Sequence, residues 1–177
     1  SKRRAALWIF LGAGKTIITL TAINDLLNAS IIKKVLIVAP LRVARSVWKQ
    51  EAAKWDHLSG LRVSVATGTA KERKAALAVD ADIYVTNKEN TKWIVEQFSK
   101  TKHWPFDGVV LDEASAFKSQ ATQRFRALRK VVAHTTVFIE LTGTPAANSL
   151  MDVWSQVYLL DSGASLGRTI TGYRQRF

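Results

Sequence analysis

Apolar runs and amphipathic stretches alternate along the whole chain. Residues 7–11 (LWIFL), 35–39 (VLIVA), 82–86 (DIYVT), 108–112 (GVVLD) and 136–143 (TVFIELTG) are short and apolar on consecutive positions, while 62–66 (RVSVA) alternates. Runs of that length, bounded by charges or turn residues, predict strands. Between them, apolar residues recur at helical spacing, which predicts helices over 15–28, 42–55, 70–79, 89–98, 121–132 and 149–160. Thr69 stands where a helix N-cap is expected. Trp48 and Trp55 are seven positions apart on one predicted helix, a spacing that predicts two packing residues on its core face. Strands separated by helices imply parallel βαβ units. Consecutive apolar positions imply that both faces of the sheet are covered. The expectation is therefore an α/β protein, a parallel sheet with helices on both faces, right-handed crossovers and ligands at the carboxyl ends of the strands.

Composition narrows the function. The 177 residues amount to one domain and include no Cys, which excludes a disulfide framework, a thiolate metal site and a cysteine nucleophile. His57, His103 and His134 lack ligand spacing, so a histidine-built zinc site is not expected. Lys and Arg total 26 against 14 acids, a formal charge of +12. That excess points to a polyanion, nucleic acid first and an anionic membrane surface second. No apolar run approaches the roughly 18 residues of a spanning helix. The opening SKRRAALWIFLGAG has the order of a signal peptide, but GKT interrupts it and an amphipathic pattern follows. A cytoplasmic protein without a membrane partner is expected. The chain begins at Ser1 rather than Met, and periodicity fades over 161–177, which reads as a lead-out toward a further region.

Three segments can carry chemistry. Gly12-Ala13-Gly14-Lys15-Thr16 lies between a predicted strand and a predicted helix. Glycines there let backbone N–H groups turn toward phosphates, and the helix N-terminus adds its dipole. Lys15 can reach outer phosphates and the Thr16 hydroxyl can bind Mg²⁺. The full P-loop pattern wants a further Gly where Ile9 stands, so a plain strand–turn–helix is the competing reading. Asp112-Glu113 closes the strand GVVLD. Asp112 can hold Mg²⁺ and Glu113 can orient a water, or both can be solvated turn acids. Thr142-Gly143-Thr144-Pro145 closes TVFIELTG, either as a link between the acids and another site or as an ordinary turn. Lys71, Arg73 and Lys74, and likewise Arg124, Arg126, Arg129 and Lys130, form basic helix runs that are either solvated faces or nucleic-acid contacts.

Taken in order, these segments resemble superfamily-two helicases and translocases, in the chromatin-remodeller-like (Swi/Snf-type) branch and closest to its compact phage and prophage versions. GAGKT resembles motif I, VAPLRVARSVWKQEAAKW motif Ia with its helix, VTNKEN the next strand-end motif, VVLDEAS motif II and LTGTPAANS motif III. The resemblance implies a P-loop NTPase with a RecA-like fold, spanning residues 1–177 as the first of two lobes. It implies ATP and Mg²⁺ as cofactors, with Gly12, Ala13, Gly14, Lys15 and Thr16 on the nucleotide and Thr16 and Asp112 on the metal. Lys15, Asp112 and Glu113 would be catalytic, and Thr142, Gly143 and Thr144 would couple ATP state to DNA contact. Pro40, Leu41, Arg42 and Gly68 would touch nucleic acid. The implied partners are duplex DNA and a second RecA-like lobe, and the implied setting is a bacterial or phage-infected cell. Phe10-Leu11 and Lys88 depart from the family's usual residues. The competing classes are a nucleic-acid-binding module of the same fold without turnover, and a P-loop small-molecule kinase.

Overall fold

A computed structural model of the chain describes residues 3–99, 103–146 and 149–176. Its centre is a parallel sheet of six strands in the order β1-β6-β5-β2-β4-β3. The strands are β1 (Arg3–Trp8), β2 (Val35–Ala39), β3 (Val63–Val65), β4 (Ile83–Asn87), β5 (Gly108–Asp112) and β6 (Val137–Thr142). Strands β2, β4 and β6 are buried at every position, because helices cover both faces, as the unbroken apolar runs predict.

Helices α1 (Lys15–Asn28) and α2 (Leu41–Lys54) cover one face, where Leu20, Ile23, Ala44, Trp48 and Ala52 pack against Ile37, Val110 and Ile139. On the other face lie α4 (Thr91–Ser99), α5 (Gln123–Val132) and α6 (Met151–Asp161), packed through Ile94, Phe125, Leu128 and Leu159 onto Leu36, Val109 and Phe138. The chain steps outward from β1 to β3 with α1 and α2 on one face. It then returns through β4, β5 and β6 with its helices on the other, the arrangement right-handed crossovers produce. Helix α3 (Ala70–Ala78) buries no residue. Its N-terminus is instead held by a capping box, in which the Thr69 hydroxyl accepts from the Glu72 N–H while the Glu72 carboxylate accepts from the Thr69 N–H.

Three expectations change. The first strand was expected over 7–11 but runs Arg3–Trp8. It is an edge strand, paired only with β6, so polar residues are tolerated, and the Arg4 guanidinium donates to the carbonyls of Val132 and Thr135. Phe10 and Leu11 leave the sheet and stand exposed. Trp48 is fully buried, but Trp55 is not a core residue: it caps α2 in an extended conformation, leaves the helix register and is 39% exposed. Finally, the aperiodic tail contains a short helix, α7 (Ile170–Arg174), lying on α6. Tyr173 is buried and its hydroxyl donates to the Leu150 carbonyl, and the Trp154 indole donates to the Gly167 carbonyl. Among the described residues no helix is long and apolar enough to cross a membrane.

Candidate nucleotide and nucleic-acid site

The segments singled out in the sequence meet along one edge of the sheet. Parallel strands all end on the same side, and the strand order decides who neighbours whom. Strand β6 lies between β1 and β5, with Trp8 opposite Thr142 and Leu141 opposite Asp112. The loop after β1, the Thr-Gly-Thr turn after β6 and the acids after β5 are thus consecutive, each about 5 Å from the next across the sheet. Beyond β5 come the ends of β2, β4 and β3, which carry Pro40-Leu41-Arg42, the Asn87–Asn90 turn and Gly68.

The first loop is shaped by its glycines. Gly12 and Gly14 have φ of +82° and +80°, the left-handed region that favours glycine. Gly14 is the N-cap of α1, and no side chain caps that end and no acid occupies its first turn. The loop curls around the buried Lys15, whose ammonium donates to the carbonyls of Ile9 (2.9 Å) and Phe10 (3.0 Å). This explains why the strand stops at Trp8: the next two carbonyls turn away from the sheet to meet Lys15. A Cβ added at Gly12 would meet nothing within 4 Å, so space lies open above the loop. Uncapped helix-end N–H groups and a buried ammonium that forms no salt bridge among the described residues fit an anionic ligand. Thr16 follows on the first turn, half-buried.

Asp112 is the last residue of β5, and burial pushes its carboxyl up to about 6. Glu113 adds repulsion, whereas the Trp48 indole and the Lys15 charge favour the ionised form. The Trp48 Nε1–H donates to Asp112 Oδ2 at 3.0 Å. Thr16 and Asp112 are hard oxygen donors, the type that Mg²⁺ takes. Glu113 has φ +60° and ψ +61°, a left-handed backbone that residues other than glycine rarely adopt and that Ser30 and Ser162 share among the described residues.

The turn after β6 touches the first loop directly. A Cβ on Gly143 would lie 3.6 Å from the Ile9 carbonyl and from the Leu11 nitrogen, so the two backbones are in contact there. Thr142 is buried and its hydroxyl accepts from the Thr144 N–H. The fully buried Gln156 of α6 donates to the Pro145 carbonyl at 2.7 Å, anchoring this turn from below. Ala147 and Asn148 of LTGTPAANS lie outside the described residues.

On the other half of the edge, Leu41 and Arg42 open α2 and are exposed. Arg45 and Lys49 are exposed on the same helix at spacings of three and four, extending a basic stripe that the apolar periodicity of the helix does not reveal. Gly68, with φ +84°, makes the turn before α3. Arg73 is no solvated charge. Its guanidinium sits 4.3 Å from the Trp93 ring centroid and donates to the Gly68 carbonyl and to Asn90 Oδ1. Asn90 in turn donates to Asn87 Oδ1, so the turn after β3 is tied to the VTNKEN turn after β4. Lys71 and Lys74 remain exposed. On α5, Arg126, Arg129 and Lys130 are exposed, Arg129 lying over Tyr158, while the half-buried Arg124 lies over Phe117. Among the described residues no group of His, Cys, Asp and Glu forms a metal cluster.

Comparison with known proteins follows this geometry. Residues 11–167 match the family model described as the SNF2-related domain. The chain is 41% identical to the putative protein p41 of Acyrthosiphon pisum secondary endosymbiont phage 1, covering 99% of this chain and 39% of that protein. It is 33% identical to the helicase ssl-1 of Caenorhabditis elegans, over 85% of this chain and 6% of that protein. The fold matches the Sulfolobus solfataricus SWI2/SNF2 ATPase core, solved in complex with dsDNA. That match has a TM-score of 0.80 at 24% identity and covers all of this chain and 35% of that one. The chain thus spans well under half the length of each of these proteins.

Proposed function

The chain belongs to the SNF2-related domain family, and from that premise we propose that residues 1–177 are the first RecA-like lobe of a DNA-dependent ATPase. Its reaction would be ATP hydrolysis driving movement along duplex DNA in the cytoplasm of a bacterial or phage-infected cell. The observation that carries this reading is the convergence of the Lys15 loop, the Thr142–Thr144 turn and the Asp112-Glu113 pair on the ends of β1, β6 and β5. The helicase relative and the dsDNA complex of the structural neighbour support the choice of partner.

In this reading the N–H groups of Gly12, Ala13 and Gly14 and the end of α1 bind the phosphates. The Lys15 ammonium exchanges its two carbonyl partners for phosphate oxygens and neutralises charge there. Thr16 and Asp112 would hold Mg²⁺, which when bound neutralises phosphate charge and organises the outer phosphates. Glu113 orients the attacking water and accepts its proton. Thr142, Gly143 and Thr144, in contact with the first loop, report its occupancy toward the nucleic-acid half of the edge. There Pro40, Leu41, Arg42 and Gly68 contact the phosphate backbone. A second RecA-like lobe supplies the cation that completes the hydrolytic site.

The test is a titration with Mg·ADP. The wild type binds, and Lys15→Ala loses most of that binding. Identical titration curves would refute the nucleotide site. Stimulation of ATP hydrolysis by duplex DNA, measured with the second lobe present, separates this reading from a small-molecule kinase, which would not respond. A pure binding module would show no turnover.

A further inference from the structure

Helix α2 belongs to the nucleic-acid half of the sheet edge by its first turn and to the nucleotide half by its third. Ala44, Trp48 and Ala52 form its buried stripe at spacings of four. Trp48 is fully buried among apolar side chains, and its indole N–H donates to Oδ2 of Asp112, 64 positions away in sequence. Strands β2 and β5 are neighbours, and this brings the helix that follows β2 over the acid that ends β5.

A buried indole usually finds an acceptor for its N–H, although that of Trp104 has none among the described residues. At a purely apolar core position Phe would fill similar space without that demand. Elsewhere the chain meets the demand cheaply, since the Trp154 indole donates to a backbone carbonyl. Trp48 instead engages a half-buried carboxylate at the heart of the candidate site. Committing Oδ2 to the indole holds the carboxylate in one orientation and leaves Oδ1 as its other oxygen. Partners of this kind behind a metal-binding carboxylate typically change metal affinity by about 10–100-fold.

We propose that Trp48 is a positioning residue for magnesium. Its indole N–H orients Asp112, so that the helix opening at Pro40-Leu41-Arg42 sets the geometry of the metal ligand. This rests on the reading of Asp112 as that ligand.

Trp48→Phe keeps much of the apolar contact and removes the donor, leaving a small cavity that the comparison in EDTA controls for. The experiment measures ADP binding as a function of Mg²⁺ concentration, and again in EDTA. The Mg²⁺ midpoint should rise about tenfold in Trp48→Phe while the EDTA affinity stays that of the wild type. In an amide-region NMR spectrum of the wild type, the indole resonance absent from Trp48→Phe should shift with Mg·ADP and not with ADP in EDTA. An unchanged Mg²⁺ midpoint, or an indole resonance that ignores Mg²⁺, overturns the role of Trp48. The second readout holds even if the variant fails to fold, because sequential assignment of the isotope-labelled wild type identifies the Trp48 indole among the six tryptophans. ADP binding by the wild type that is itself indifferent to Mg²⁺ would remove Asp112 as the ligand, and this inference with it.

Discussion

Substituting Gly68 by Ala tests whether the turn before α3 is built as described. Two effects combine. The backbone there has φ +84°, where an L side chain costs about 1–2 kcal/mol. The new methyl would also overlap the Glu72 carboxylate, which lies against the position of a Cβ on Gly68. Glu72 is flexible and would swing aside, but it would then give up its bond to the Thr69 N–H and break the capping box. Helix α3 buries no residue, so beside the Arg73 contacts to the Gly68 carbonyl, Asn90 and Trp93 the capping box is what holds its first turn. We expect Gly68→Ala to cost more than Thr69→Ala, which removes only the other half of the box at about 1 kcal/mol. Equilibrium urea unfolding measures both losses, and hydrogen exchange should show the extra opening concentrated in residues 70–78. Because Gly68 is also a proposed phosphate contact, duplex DNA should bind more weakly. A Gly68→Ala protein within about 0.5 kcal/mol of wild type, with α3 equally protected, would refute the reasoning.

Other consequences follow from the same structure. Glu140 is fully buried in β6 and neither carboxylate oxygen has a hydrogen-bond partner among the described residues, so burial raises its pKa well above the ordinary value. The folded chain then keeps a proton that the unfolded chain releases, and stability should fall as pH rises above the unfolded value of about 4.3. Glu140→Gln should flatten that fall and be the more stable protein at neutral pH, as urea midpoints at pH 5 and pH 8 will reveal; parallel curves would count against it. Arg42→Ala should reduce the slope of log affinity for duplex DNA against log salt by about one, and an unchanged slope would remove Arg42 from the contact. Residues 1–177 alone should hydrolyse ATP poorly even with DNA, because the arginine that the proposed second lobe would supply is worth about 10³–10⁵ in rate, or about 4–7 kcal/mol. Adding the second lobe should restore turnover and Glu113→Gln should then abolish it with ATP still bound; robust hydrolysis by the purified monomer would refute the half-engine reading.

Much of this protein is legible along the chain. VLIVA and GVVLD are strands with the expected bounds, and helix α1 starts and stops where its pattern does. Thr69 caps α3 as its position suggests. These are local matters: a strand buried on both faces must be apolar at consecutive positions, and a helix end must satisfy its own N–H groups. The motifs were legible for the same reason, since a phosphate loop and a strand-end acid each need only a few adjacent residues. What the pattern could not carry is partnership. It records that Trp48 and Trp55 share a spacing, but only the strand order brings Trp48 to Asp112, while the end of the helix leaves Trp55 in solvent. It records a basic run at Lys71, Arg73 and Lys74, but only the packing of α3 near α4 turns Arg73 inward onto Trp93 and the Gly68 carbonyl. Strand β1 ran past its apolar signal because an edge strand with one neighbour tolerates Arg3 and Arg4, and it stopped early because Lys15 claims the next two carbonyls. Hydrophobic pattern specifies how much of a residue is buried. Which polar group it meets there is decided by the order of β1, β6, β5 and β2, and that order exists only once the sheet has closed around its core.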